Sequence, residues 1–144
     1  VFLKNNAWPM KTSRSDIAAY ITLDGSEIRE LIHPNRDGHG NQSLAEAIVP
    51  PGGQTHLHLH RSSEEIYHFI SGEGIMLLGE RRFSVIAGDS VRIAPGTAHK
   101  LINESAHPLK LLCICTPAYQ HEDTDLIALT PLASPLHQRS EPPD

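Results

Sequence analysis

Gly52-Gly53-Gln54-Thr55-His56-Leu57-His58-Leu59-His60-Arg61-Ser62-Ser63-Glu64-Glu65-Ile66-Tyr67-His68-Phe69-Ile70-Ser71-Gly72 is the stretch on which the fold of this chain turns. Side chains alternate across a β-strand, so His58 and His60 project from one face and can point at one metal ion. The run from Glu65 to Ile70 is aromatic and β-branched and reads as the next strand, which can carry the Glu65 carboxylate back over the same spot. About forty residues on, His99 lies in Gly88-Asp89-Ser90-Val91-Arg92-Ile93-Ala94-Pro95-Gly96-Thr97-Ala98-His99-Lys100-Leu101-Ile102-Asn103. Three neutral imidazoles and one carboxylate form a donor set for a divalent transition metal.

Ten histidines in 144 residues produce some near pairs by chance, and a lone His-x-His carries little weight. The spacing carries more. Gly52 stands six before His58, Glu65 five after His60, and Gly72 seven after Glu65, while Gly88, Gly96, His99 and Asn103 form a second spaced set. Glu64 is a rival to Glu65, but neighbours on a strand face opposite ways and only Glu65 keeps the seven-residue step to Gly72. A ligand pair of His56 and His58 keeps the parity and breaks the spacing from Gly52.

The first stretch resembles the first cupin motif and the second resembles the second, with Ala94 where that family usually has proline; the resemblance covers roughly residues 40 to 118. It implies that His58, His60, Glu65 and His99 hold one divalent transition metal per chain, with softness alone not choosing among Fe, Mn, Ni, Co, Cu and Zn. The run from Thr116 to Thr124 is also similar to the C-terminal segment of small stand-alone cupins described as resembling mannose-6-phosphate isomerase, a likeness that settles no activity.

Around these motifs, Ala19 to Leu23 and Glu27 to Ile32 read as two strands joined by the turn Asp24-Gly25-Ser26. His33 to Gln42 reads as a polar loop and Ser43 to Pro50 as a strand. Short strands and Gly-rich turns then alternate to residue 118 without a helical period. The pattern predicts an all-β fold, and the resemblance makes it a double-stranded β-helix, or jelly-roll barrel. Three segments follow: N-terminal strands and loop packing on the barrel over 1–42, a barrel core over 43–118, and an acidic, Pro-rich C-terminal arm over 119–144, expected to be partly disordered.

Net charge is −5 and basic residues are scattered, which argues against nucleic acid as a partner. No apolar run approaches a membrane span, and no signal-peptide pattern opens the sequence. Cys113 and Cys115 share one strand face at a spacing that suits no ordinary disulfide; they are expected to be small core residues in a reducing, cytoplasmic setting. Edge strands of a nearly isolated barrel suggest a homodimer.

Counting by twos from Glu65 puts Tyr67 and Phe69 on the ligand face, and from His99 it puts Asn103 there, so these three are candidate walls of a small-molecule pocket. Structural packing or a backbone hydrogen bond is the competing role for each. His56 and Tyr67 are candidate acid or base groups. His68 is expected at solvent or an interface, and His33, His39, His107, His121 and His137 on the surface. The expected function is a metal-dependent enzyme of dioxygenase type acting on a small oxygen-rich or aromatic molecule. The alternatives are a Lewis-acid isomerase or lyase for a sugar phosphate or keto acid, and a non-catalytic metal or small-ligand binding module.

Overall fold

The computed structural model describes residues 11–38 and 40–128, and in it the alternating pattern becomes two facing antiparallel sheets. The strands, in chain order, are β1 (Tyr20–Ile21), β2 (Glu27–Ile32), β3 (Ser43–Val49), β4 (His58–His60), β5 (Glu64–Ser71), β6 (Glu73–Leu78), β7 (Arg81–Ile86), β8 (Ser90–Ile93), β9 (His99–Ile102), β10 (Leu109–Thr116) and β11 (Thr124–Leu126). One sheet has the order β1-β2-β3-β10-β5-β8 and the other β11-β4-β9-β6-β7. This is the all-β jelly roll that the sequence predicts.

Alternation decides what each strand buries. On β10, Leu109, Leu111, Cys113 and Cys115 are buried, while Lys110, Leu112, Ile114 and Thr116 are only half-buried on the other face. Of these, Leu109, Leu111 and Cys113 join Phe69, Met76, Val85, Ile93 and Leu101 from other strands in one core. Each fully buried side chain of this size stabilises the fold by roughly 1.5–3 kcal/mol. Glu46 breaks the pattern, since it is 6% exposed on a core strand. The Arg14 guanidinium covers it, with Nε at 2.9 Å from both carboxylate oxygens, and holds its pKa below the usual carboxylate range.

Tight turns link the strands. Gly72, between β5 and β6, has φ +89°, and a Cβ there would run into the Pro108 carbonyl oxygen, so both backbone and space require glycine.

Three expectations are corrected. The stretch from His33 to Gln42 contains a one-turn helix, Pro34–Asp37, with proline at its start and His33 as N-cap, whose Nδ1 accepts from the Asn35 N–H at 3.1 Å. His33 itself is buried, because its Nε2 donates to the Tyr119 carbonyl at 2.7 Å, a partner 86 residues away that local reading does not supply. The start of the acidic C-terminal segment is a strand: β11 pairs with β4, and Asp123 caps the β4–β5 loop by accepting from the Ser62 and Ser63 N–H groups. The rest of the arm, from residue 129, lies outside the described residues, as do His39 and His137. Among the described residues, no helix is long and apolar enough to cross a membrane.

Candidate metal centre

Three cross-strand pairs build the site. His58 on β4 stands opposite His99 on β9, His60 opposite Thr124 on β11, and Glu65 on β5 opposite Cys115 on β10. The histidines therefore come from one sheet and the carboxylate from the other, meeting across the interior. All four expected ligands are buried, with His99 at 0% exposure and Glu64 on the exposed side of its strand. One donor atom from each of His58, His60, Glu65 and His99 lies within 4.8 Å of all the others.

Hydrogen bonds aim each donor. Nδ1 of His58 lies 2.9 Å from the His56 carbonyl, and Nδ1 of His99 lies 2.9 Å from the Thr97 carbonyl. A carbonyl only accepts, so both rings carry their proton on Nδ1 and present the Nε2 lone pair inward. Nδ1 of His60 lies 2.9 Å from Thr124 Oγ1, which itself donates to the Gln120 carbonyl at 3.0 Å, so here too the ring is the donor. On the carboxylate, Cys115 Sγ donates to Oε2 at 3.1 Å, which leaves Oε1 facing His60 Nε2 at 3.1 Å and His99 Nε2 at 3.3 Å.

The electrostatics call for positive charge at this point. Burial opposes ionisation of Glu65, but the neighbouring His60 and His99 imidazoles outweigh it and hold its pKa far below the usual carboxylate range. Burial likewise opposes a charge on His60, yet the Glu65 hydrogen bond and charge outweigh it and raise the ring's pKa. Burial and the neighbouring His99 push His58 down to about 4, so it stays neutral and ready to ligate. His99 Nε2 is buried without a hydrogen-bond partner among the described residues. A divalent cation satisfies all of these demands at once. Donors on one ion bound at about 2.1 Å lie at most about 4.2 Å apart, so the cluster needs to contract by roughly half an ångström. The residues fit the metal.

A cavity of about 40 Å³ opens beside the cluster. Its wall includes Tyr67, whose ring lies edge-on to His99 at 5.7 Å between centroids. Burial, followed by the charge of Glu65, raises the Tyr67 pKa well above 10, so its hydroxyl is a proton donor at neutral pH. Phe69 is fully buried in the core and is not part of the cavity wall. Asn103 is also outside the wall: its amide nitrogen donates to the carbonyls of Val49, Pro50 and His107, which pins a turn. His56 is exposed and outside the wall as well, and only its backbone serves the site. His68 is half-buried with Nδ1 2.8 Å from Ser90 Oγ, and His107 and His121 are exposed.

Sequence reading passed over several residues that shape the site. Cys115 and Thr124 hold ligands in place, and Asp24, Tyr20 and Tyr119 line the cavity. Parity already put Cys113 and Cys115 on one strand face; which residue each stands opposite required the strand register.

The Cupin domain family model matches residues 45–115. An uncharacterised protein of Methanocaldococcus jannaschii is 51% identical over 118 residues, spanning 82% of this chain and 94% of that protein. A mannose-1-phosphate guanylyltransferase of Salmonella typhimurium is 35% identical over 91 residues; the match spans 62% of this chain and only 19% of that enzyme. Among solved structures, a polyketide cyclase from Streptomyces resistomycificus superposes with a TM-score of 0.71 at 22% identity, covering 92% of this chain and 94% of the cyclase. A Streptomyces nucleoside dehydratase gives 0.67 at 15% identity, over 83% and 91% of the two chains. At these identities the two structures speak to the fold alone. With both motifs in place on a jelly roll, and a relative alike over nearly its full length, the chain belongs to the cupin superfamily.

Proposed function

We propose that this protein is a metal-dependent enzyme of dioxygenase type acting on a small, uncharged, oxygen-rich or aromatic molecule. The observation that carries the substrate class is the composition of the cavity wall. Tyr20, Tyr67, Tyr119, Thr22, Ser26 and Ser43 supply hydroxyl groups beside the metal cluster, and no lysine or arginine is among the lining residues. A phosphate or dianionic keto acid would meet Asp24, Glu30 and Glu65 with no guanidinium or ammonium to balance it, whereas a phenol or polyol finds hydrogen-bond partners.

His58, His60, Glu65 and His99 would hold the ion, and a redox metal such as iron(II), when bound, supplies the electron transfer by which dioxygen reacts with an organic molecule. The chain's own part is orientation. The carbonyls of His56 and Thr97, together with Thr124, fix the three rings, and Cys115 holds Glu65 to one inward oxygen. Tyr67, with its proton retained, donates to a substrate oxygen rather than acting as a base. The apolar side chains Ile28, Ala45, Ala47, Val49, Leu101 and Leu111 on the same wall limit water near the reacting atoms.

The test is oxygen consumption by iron-loaded protein against catechols, phenols and polyols, with His99→Ala as the control. Consumption with a neutral substrate that the variant lacks is the expected result. Flat traces across the panel, together with turnover of a sugar phosphate or keto acid by the zinc or manganese form, would overturn the reading in favour of isomerase or lyase chemistry.

A further inference from the structure

We propose that Asp24, in the turn between β1 and β2, is a fifth protein donor to the metal, a second carboxylate that caps the three histidines and Glu65. The proposal rests on the metal-centre reading and deepens it. Asp24 Oδ1 accepts from the Ser26 N–H at 2.9 Å and from the Ser26 hydroxyl at 2.6 Å, which commits that oxygen to the turn. The other oxygen, Oδ2, faces His58 Nε2 at 3.7 Å. With His58 Nδ1 engaged by the His56 carbonyl, Nε2 and Oδ2 face each other across a gap too long for a hydrogen bond and short enough for one ion to bridge. A cation between them would take a donor from each. An ion bound at about 2.1 Å from each would fit within that 3.7 Å gap.

The placement is built rather than incidental. The Asp24 carbonyl accepts from the His56 N–H at 2.6 Å, which ties the turn directly to the segment leading into β4. Gly25, at φ +89°, lets the chain reverse there, and the His56 ring lies over it. The Asp24 side chain is 12% exposed and lines the cavity together with His58, His60 and Glu65. Two carboxylates neutralise a divalent ion and leave it one octahedral position. A chelating substrate would therefore displace Asp24, and the cost of doing so falls hardest on anions.

Cobalt(II) and azide are the probes. Titration of the full chain with cobalt(II) should show Asp24→Asn binding about 10- to 100-fold more weakly than wild type, with an altered visible spectrum. Azide, which takes an open position, should bind the cobalt form of the variant about tenfold more tightly. A merely structural role for Asp24 would weaken both. Ser26→Ala, which keeps the carboxylate but loosens it, should lose a few-fold in cobalt affinity and serves if Asp24→Asn does not fold. Glu64→Gln, altering an exposed carboxylate, should match wild type. Cobalt affinity and spectrum unchanged in Asp24→Asn, or weaker azide binding, overturns the proposal while leaving the four-ligand centre intact. Equal cobalt binding by wild type and His58→Ala would overturn the centre itself.

Discussion

Replacing Thr124 by valine tests whether the C-terminal edge strand is part of the metal centre. The substitution keeps the shape and strand preference of the side chain and removes one oxygen. That oxygen accepts from His60 Nδ1 at 2.9 Å and donates to the Gln120 carbonyl at 3.0 Å. Gln120 is half-buried and can turn to water, whereas His60 is 4% exposed and has no such outlet. A buried donor left unpaired costs about 1–3 kcal/mol. Loss of such a partner behind a ligating histidine typically weakens metal binding by about 10- to 100-fold, or roughly 1.4–2.7 kcal/mol. At saturating metal, that loss lowers the metal-induced rise in Tm by roughly 5–10 °C, at about 4 °C per kcal/mol for a chain of this size. Competition against a chromophoric chelator gives the affinity, and melts with and without metal give the second readout. Thr124→Ser should stay near wild type. Thr124→Val binding metal within twofold of wild type, with an undiminished Tm increment, would show that the hydroxyl does not orient His60.

Further outcomes are expected. In the metal-free protein, ring NMR should place the His58 midpoint near 4 and that of His60 above the ordinary 6.5. Because unfolded His58 takes up its proton at about 6.5, its contribution of about 3 kcal/mol is present at neutral pH and is lost as pH falls from 6.5 to 4; the raised His60 works oppositely, its contribution fading as pH rises above 6.5. A His58 titration at or above 6.5 would contradict the burial argument. Gly72→Ala should lower stability in urea by on the order of 2–3 kcal/mol, from positive φ and the collision with Pro108. Gly88→Ala, with φ +96° and nothing within 4 Å, should cost less, and equal losses would remove the collision from the account. The short edge strand β1 exposes Ile21, at 68%, and Leu23 lies beside it, which favours a homodimer; light scattering giving the mass of one chain at micromolar concentration would refute it.

The fold class and the four metal-site candidates are legible in the linear chain. His58 and His60 share a strand face by parity, Glu65 and His99 sit at fixed steps from glycines, and these are local properties that a linear chain displays. Parity also put Tyr67 on the ligand face, where its ring stands edge-on to His99. It put Phe69 and Asn103 on the inward face too, yet one fills the core and the other holds a turn, because facing inward does not say which part of the interior a residue meets. Folding in three dimensions is what stands Cys115 against Glu65, puts Thr124 behind His60, brings Asp24 to His58 and buries His33 against the Tyr119 carbonyl. Those pairings join residues 34 to 86 positions apart. The first two are set by strand register and the last two by how a turn and a loop fold onto the barrel. Both depend on which distant strands pair and pack, which a window of neighbouring residues does not specify.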